Sequence, residues 1–272
     1  MRGASRDALT AALASFEEEI GSLPDGAGSS EVSEGLFAVA ALLDREPSLR
    51  RAFTDPASSQ DGRRSLVDAL LGEQLSPLPL GVFRDLVAAR WNAATDLRQA
   101  VEVLATSAAM RAAEGDGSLD DVEDELFRFE RLLEREPALR AALTDPGLPA
   151  ERKSSLLRDL LASARPTTLR LLEIAVTRPR GGSLESAIQE LTRLAAQRRE
   201  RYIAQVRVAL PLEPDHETRM AAALARIYGR EVQLQVAVDP TVIGGVEVRI
   251  GDEVLNGTVA HSLETVRRRL AG

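Results

Sequence analysis

Cysteine is absent from this chain of 272 residues, and lysine occurs once, as Lys153. Without cysteine the chain can form no disulfide bond and offers neither a thiolate metal ligand nor a thiol nucleophile. Aromatic residues make up only 3% of the sequence although 44% of it is hydrophobic. A core must therefore be built from Leu, Ala, Val and Ile, a composition that favours packed helices over an aromatic-rich β-sandwich.

Long apolar runs are also missing. The longest covers only residues 36–43, whereas a helix needs about 20 apolar residues to span a bilayer. Residues 1–13 lack the apolar stretch and the cleavage site of a secretory signal. We therefore expect no direct membrane insertion, so that any membrane association depends on partners. The net charge of −8 gives no indication of nucleic-acid binding.

Catalytic and metal-binding patterns are lacking as well. The sequence contains no phosphate-binding loop of the GxxxxGK[ST] type. Its two histidines, His216 and His261, have no second histidine or cysteine at metal-binding spacing. Acidic clusters at Glu17–Glu19 and Asp120–Glu125 are typical of helix first turns. We predict no catalytic, cofactor or metal site, and an enzyme or small-molecule binder ranks last among the functions considered.

Two basic runs and one tryptophan leave alternatives open. Arg198, Arg199 and Arg201 form one run, and Arg267–Arg269 form the other. Each run could bind an acidic partner, or could form a solvated helix face in which arginine complements the helix dipole. Trp91 is expected to end a helix and to pack in the core rather than anchor an interface.

An internal repeat organises the first two thirds of the chain. The segment LDREPSLRRAFTDP (Leu43–Pro56) matches LEREPALRAALTDP (Leu133–Pro146) at an offset of 90, with ten of fourteen positions identical. Upstream, EGLF at residues 34–37 corresponds to DELF at 124–127. This spacing and extent indicate a duplicated structural unit.

Each copy reads as helices joined by short turns. Apolar residues at helical spacing indicate buried stripes, and these are Val32, Leu36, Val39 and Leu43 in the first copy and Val122, Leu126, Phe129 and Leu133 in the second. Leu66, Val67, Leu70 and Leu71, repeated as Leu156, Leu157, Leu160 and Leu161, predict a further buried stripe. Pro47 and Pro137 occupy the tolerated first position of a helix.

The boundaries follow from breaks in this pattern. Gly115–Ser118 separates the copies, Ser118 with Asp121 resembles a capping box, and Gly181-Gly182 precedes another helix. We predict a first helical unit over 1–114, a second over 115–181, and a connecting helix with an α/β domain over 182–272. A helix from Ala94 to Ala113 is expected to close the first unit and open the second.

The last third changes its period. A strand is predicted from Ile203, then a helix with Pro214 near its start and a core stripe of Met220, Leu224 and Ile227. Val232, Leu234, Val236 and Val238 alternate as in a half-buried strand, and Val246, Val248 and Ile250 resume the alternation. From Thr258 the spacing becomes helical. The fold class is therefore mainly α with a small α/β C-terminal domain.

The string DPTVIGGVEVRIGDEVLNGTV, residues 239–259, resembles the C-terminal signature of the delta-subunit family of bacterial F-type ATP synthases, related to the mitochondrial oligomycin-sensitivity-conferring protein. The matching turn and strand-end positions are Asp239, Pro240, Gly244, Gly245, Gly251 and Gly257. That family has an N-terminal six-helix bundle and a smaller α/β domain. The extra helical unit here resembles the actinobacterial members.

The resemblance implies a non-catalytic stator subunit without a cofactor, present in one copy in a hetero-oligomeric complex. The helical bundle is expected to bind N-terminal segments of the alpha subunits, and the C-terminal domain the C-terminal helices of the b subunit, with Arg267, Arg268 and Arg269 among its contacts. The expected location is the cytoplasmic face of the cell membrane, held there by partners. The alternative is a free-standing helical-repeat adaptor for amphipathic helices outside the synthase. Which helical unit binds alpha is left open.

Overall fold

The computed structural model describes residues 1, 3–21, 28–178, 183–200, 203–228, 232–239, 242, 245–250 and 253–256. Within these ranges the chain forms twelve helices and four strands. It divides into two compact units, Met1–Thr192 and Arg193–Gly272. The predicted class, mainly α with a small α/β C-terminal part, is confirmed. The finer boundaries at 114 and 181 stay a prediction.

The helices follow one another with short connections. They are α1 Ala4–Gly21, α2 Ser29–Arg45, α3 Pro47–Phe53, α4 Gln60–Leu71, α5 Pro77–Ala88, α6 Ala94–Gly115, α7 Leu119–Arg135, α8 Pro137–Thr144, α9 Ala150–Leu160, α10 Pro166–Thr177, α11 Leu184–Glu200 and α12 Pro214–Tyr228. Prolines stand in the first turn of α3, α5, α8 and α10, where the missing amide hydrogen costs nothing. We call α2–α5 the first repeat and α7–α10 the second repeat.

The two repeats share their local hydrogen bonds as well as their sequence. The hydroxyl groups of Thr54 and Thr144 each donate to the carbonyl four residues earlier, both at 2.8 Å. The carboxylates of Asp55 and Asp145 each accept from the amide two residues later, at 2.9 and 2.8 Å. These turns end α3 and α8 in the same way, so the duplication extends to the capping of individual helices.

Helix α6 belongs to both repeats. It packs against α1, α2, α3 and α5 on one side of the duplication and against α7 and α10 on the other. Buried small residues, among them Ala100, Ala105 and Ala108, line this long helix and let its neighbours approach closely. The prediction of a shared helix is confirmed. Helices α1, α6 and α11 begin at residues 4, 94 and 184, so they recur at the same offset of 90.

Leu70 and Leu160, predicted to be buried, are exposed in both repeats, at 38% and 43% of their surface. The buried positions of α4 are instead Arg63, Val67 and Leu71. These lie four residues apart, so they form a single stripe from which Leu70 points away. The prediction is wrong for Leu70 and Leu160, which lie off this four-residue stripe, whereas Val67, Leu71 and Leu157 are buried as predicted.

Two smaller predictions are also corrected. Ser118 makes no capping hydrogen bond to α7, and its hydroxyl donates to Asp116 at 2.5 Å. Trp91 lies in the loop between α5 and α6 and is half-buried. Its indole Nε1 donates to the carbonyl of Leu86 at 2.7 Å, so the ring caps the carboxyl end of α5.

The C-terminal unit contains a four-stranded sheet of β1 Ile203–Val208, β2 Gln233–Val238, β3 Val246–Ile250 and β4 Glu253–Asn256, in the order β2-β1-β3-β4. Strand β1 pairs parallel with β2 and antiparallel with β3. Every second residue of β1 is buried, at Ala204, Val206 and Val208, and Leu224 of α12 joins the same core. The predicted strands are confirmed.

The predicted stripe of α12 is only partly right. Leu224 is buried and Met220 is half-buried, but Ile227 is 68% exposed. The half-buried residues around Leu224 are Met220, Ala221, Ala223 and Ala225, so the core face continues at spacings of four. Ile227 lies outside the core cluster that Leu224 joins.

Candidate partner-binding surfaces

Of the six turn and strand-end positions named in the C-terminal signature, Asp239 and Gly245 are described, and both stand at chain reversals. Asp239 follows β2, and its amide donates to the carbonyl of Val208 at 2.8 Å, while its carbonyl accepts from Val242 at 3.1 Å. Gly245 precedes β3 with φ +85°, a conformation that residues with a Cβ rarely adopt. The signature therefore fixes how the chain enters the second half of the sheet.

Arg207 on β1 connects this reversal to β3. Its guanidinium donates to the carboxylate of Glu247 across the antiparallel pair and lies 3.7 Å from the carboxylate of Asp239. The hydrogen bond to Glu247, and then that residue's negative charge, raise the pKa of Arg207 above its usual value. The outer face of the sheet thus carries an ion-paired row next to the signature turn.

The remaining predicted C-terminal residues lie outside the described part of the chain. These are Pro240, Gly244, Gly251, Gly257, Arg267, Arg268 and Arg269, together with His261 and Arg201. Of the other basic run, Arg198 is buried and Arg199 is exposed near the end of α11. The alternative of a solvated helix face therefore holds for Arg199 but not for Arg198.

Apolar side chains are exposed on the C-terminal unit. Leu210 follows β1, Ile227 lies on α12 and Val238 ends β2, and each has at least half of its surface exposed. Single exposed apolar residues are common on protein surfaces, so these three are candidate contact positions and do not by themselves define an interface. The sequence could not identify them, because Ile227 and Val238 fit the same periodic patterns as buried residues.

The two repeats meet through α2 and α10. Arg170 of α10 pairs with Glu34 of α2 at 2.9 Å and lies over the ring of Phe37 at 5.6 Å from its centroid. Arg178 donates to the carbonyl of Phe37 at 3.2 Å. Burial lowers the pKa of Arg178, while the charge of Asp44 opposes that effect. Phe37 is fully buried, and Arg170 of the second repeat lies on its ring.

The equivalent position in the second repeat is open. Phe127, the counterpart of Phe37, is 52% exposed on α7. Asp124, the counterpart of Glu34, pairs within its own helix, with Arg128 at 3.1 Å. The surface that the first repeat uses to contact the second is therefore presented to solvent by the second repeat.

A groove of about 200 Å³ lies on the same repeat, between α7 and the connection from α9 to α10. The exposed Leu160 and the half-buried Leu132 line it, with Arg128 and Glu125 at its polar edge. Apolar grooves with charged edges suit the apolar face of an amphipathic helix. The second repeat thus offers two exposed apolar positions, Phe127 and Leu160, for a partner.

The described residues contain no group of three or more His, Asp or Glu side chains placed to hold a metal ion. His216 is exposed in the first turn of α12, as expected of a surface histidine. No described helix is long and apolar enough to cross a membrane.

Comparison with known proteins assigns the chain to a family. The family model described as "ATP synthase delta (OSCP) subunit" matches residues 105–270, which is more than half of the chain. The "ATP synthase subunit delta" of Streptomyces griseus is 46% identical over 275 residues and covers 100% of both chains. This chain belongs to the ATP synthase delta (OSCP) family. It is thereby a peripheral-stalk component of an F-type ATP synthase, and the resemblance of residues 239–259 is confirmed.

Other relatives agree with this membership of the delta (OSCP) family. The "ATP synthase subunit delta" of Streptomyces coelicolor is 47% identical over 272 residues, covering 100% of this chain and 98% of the relative. That of Thermobifida fusca is 44% identical over 273 residues and covers 100% of both. The free-standing adaptor gains no support, because these relatives match the whole chain and not only its C-terminal module.

A solved structure, the mitochondrial ATP synthase hexamer of Toxoplasma gondii, contains a chain with 17% identity and a TM-score of 0.35. The match covers 61% of this chain and 95% of that one. A likeness at this level carries no argument about fold or function.

The extent of the delta (OSCP) family match bears on the duplication. It begins at residue 105, inside α6, and continues through the second repeat, α11 and the C-terminal sheet. Helices α6–α11 are six in number, as in the bundle that the resemblance implies. The first repeat precedes the matched region, yet the full-length relatives contain it.

Proposed function

We propose that this delta (OSCP) subunit is a non-catalytic link of the stator in an F-type ATP synthase. Its helical part binds N-terminal segments of the alpha subunits on the catalytic head, and its C-terminal domain binds the C-terminal helices of the b subunit. One copy serves each complex at the cytoplasmic face of the cell membrane, held there by its partners. The observation that carries the proposal is the family match over residues 105–270.

The architecture suits such a link. A stator must resist the torque that rotation exerts on the head, which requires stiff elements and durable contacts rather than reacting groups. Helices α2, α6 and α10 are joined by buried packing and by ion pairs such as Arg98–Asp44 at 2.7 Å and Arg170–Glu34. Exposed apolar side chains on both compact units provide places where amphipathic helices can dock.

The second repeat is the better candidate for the alpha-binding copy. The family match includes it and begins in α6, whereas the first repeat lies before the matched region. The second repeat also exposes Phe127, whose counterpart Phe37 is covered. The first repeat then lengthens the link. Arg267–Arg269 are proposed to contact the b subunit on the strength of their sequence and family position.

A matched pair of substitutions tests which copy binds alpha. Leu160→Ser removes an apolar anchor from the groove of the second repeat, and Leu70→Ser changes the same exposed position in the first. Calorimetric titration of the full chain with an alpha-subunit N-terminal peptide should show at least a tenfold weaker affinity for Leu160→Ser, and little change for Leu70→Ser. The reverse result would assign alpha binding to the first repeat.

Removal of residues 258–272 tests the link to b. Membranes carrying the shortened chain should lose proton-driven ATP synthesis, while ATP hydrolysis by the detached head remains, because the head is no longer held to the membrane sector. A triple Arg267→Ala, Arg268→Ala, Arg269→Ala variant retains the segment and isolates the contribution of its charge. Unchanged coupling in the shortened chain would contradict the stator role.

A further inference from the structure

A partly open cavity of about 580 Å³ lies where the second repeat meets α11. It lies between α8, α9, the end of α10 and the start of α11. Its apolar wall consists of Leu143, Ala175, Val176, Leu184 and Ala187, and its polar residues include Arg140, Lys153 and Glu185. Volumes of this size, largely apolar with a few polar groups, are typical of small-molecule sites.

Comparison with the first repeat explains how this space arises. Phe53, Arg63 and Leu86 are buried in the first repeat. Leu143 and Lys153 replace the first two at the offset of 90, and Ala175 replaces Leu86 because α10 begins 89 residues after α5. Phe53 also stacks edge-on against Phe83 at 5.3 Å, and Leu172 replaces Phe83. The first repeat has a depression near Trp91, but neither Phe53 nor Arg63 lines it. This depression is therefore not the counterpart of the cavity.

The arginine and the lysine differ in what they bind. Arg63 donates to four main-chain carbonyls, those of Val87, Ala88, Ser58 and Asp55, at 2.6 to 3.2 Å. Lys153 is only 8% exposed, lines the cavity, and makes no hydrogen bond or ion pair with any residue in the described ranges. The ammonium group of Lys153 is therefore available to bind an anion that enters the cavity.

The surroundings restrict the charge and shape of that anion. Arg140 and Glu185 pair at 3.6 Å with their side chains 47% and 33% exposed, so they mark the mouth of the cavity and offset each other. Of the other charged lining residues, Lys153 is positive and Glu190 is negative, so the lining tolerates at most a monoanion, placed at Lys153. The acidic Glu185 and Glu190 on the lining disfavour a more highly charged group such as a phosphate dianion.

We propose that this cavity binds an apolar carboxylate of the fatty-acid type, with its carboxylate on Nζ of Lys153 and its hydrocarbon chain along Leu143, Ala175 and Val176. This goes beyond the stator link and does not depend on it. Binding would lock α8, α9, α10 and α11 together at a place where the first repeat is locked by its own side chains.

Calorimetry and thermal unfolding of the full chain test the proposal, with decanoate and its neutral analogue decanol as probes below micelle-forming concentrations. Decanoate should bind at least tenfold more tightly than decanol and should raise the unfolding temperature. Lys153→Met should abolish that preference. The double variant Leu143→Phe, Ala175→Leu installs the residues of the first repeat and should bind neither probe.

The double variant also serves as its own folding control, since it should unfold at the same temperature as the unaltered chain or higher. Equal binding of decanoate and decanol by the unaltered chain would overturn the proposal. So would the absence of any binding, or undiminished decanoate binding by the cavity-filled variant. None of these results would bear on alpha or b binding, so the two proposals fail separately.

Discussion

The first repeat fills its core with Phe53, Phe83 and Arg63, whereas the second has Leu143, Leu172 and Lys153 at the same places. The two copies nevertheless have nearly the same helix limits, a proline at the start of α3 and α8 and of α5 and α10, and the same hydrogen bonds in the turns that end α3 and α8. The local sequences of the two copies therefore still specify corresponding helices, although the side chains in their interiors differ. The interior of the first repeat is filled by its own side chains, whereas the second repeat lines a cavity and has an exposed apolar face.

The contact between the first and fourth helices of each repeat shows the same divergence. In the first repeat α2 carries Gly35, and a Cβ added there would stand 2.6 Å from Cβ of Pro79. In the second repeat Glu125 of α7 accepts from the hydroxyl of Thr168 at 2.5 Å and from the amide of Arg165 at 3.0 Å. Close apolar packing in one copy is replaced by a carboxylate that caps α10 in the other.

The largest expected effect comes from Arg63→Met. It removes the donors that satisfy the last carbonyls of α5, so we expect a loss of about 2–4 kcal/mol in the free energy of unfolding. Lys153→Met, the matched change in the second repeat, should leave stability unchanged or raise it. Denaturant unfolding of the full chain measures both, and equal losses would show that the two cations have the same role.

Gly35→Glu places the residue of the second repeat into the first. The side chain meets Pro79, so we expect the free energy of unfolding to fall by about 1–3 kcal/mol. Gly81→Ala is the control, because Gly81 also lies inside a helix but has open space around its Cβ position, and it should stabilise by about 0.5–1 kcal/mol. A stable Gly35→Glu variant would mean that α2 and α5 can separate freely.

Phe53→Leu gives the first repeat the smaller residue of the second. The loss of ring volume and of the edge-on contact with Phe83 should cost about 1–2 kcal/mol. Leu143→Phe, the converse change, should be neutral or stabilising, because the added ring enters existing space. Thermal unfolding compares the two, and a marked loss from Leu143→Phe would contradict the presence of that space.

The smallest effect concerns Glu185 at the mouth of the cavity, whose counterpart 90 residues earlier, in α6, is the uncharged Thr95. A hydrogen bond from its own backbone amide, and then one from the Ser183 hydroxyl, lower the pKa of Glu185. A lowered pKa stabilises the fold above the ordinary value of about 4.3, and this stabilisation is lost as the pH falls through the folded-state pKa. In denaturant unfolding at pH 7, Glu185→Gln should therefore be slightly less stable than the unaltered chain. The difference in stability should disappear in acid. A difference that stays the same at both pH values would rule out this effect.

Much of the fold follows from local sequence. Periodicity predicted the strands that begin near Ile203, Val232 and Val246 and the helices around Pro47, Pro137 and Pro214, because these patterns extend over only a few neighbouring residues. The residues 239–259 indicated the family. The candidate surfaces were less accessible, since Leu160 and Ile227 fit apolar patterns that elsewhere mark a core.

The duplication, the helices and strands, and membership of the delta (OSCP) family can all be read from the order of residues along the chain. The order of residues does not show which copy has a filled interior, because that depends on contacts between helices that are distant in the chain. Phe37 and Phe127 occupy matching positions in matching helices, yet Arg170 covers the first and no described residue buries the second. Lys153 and Arg63 likewise share a buried position but not their partners. Burial and pairing depend on neighbours distant in the chain, and local sequence does not specify those neighbours.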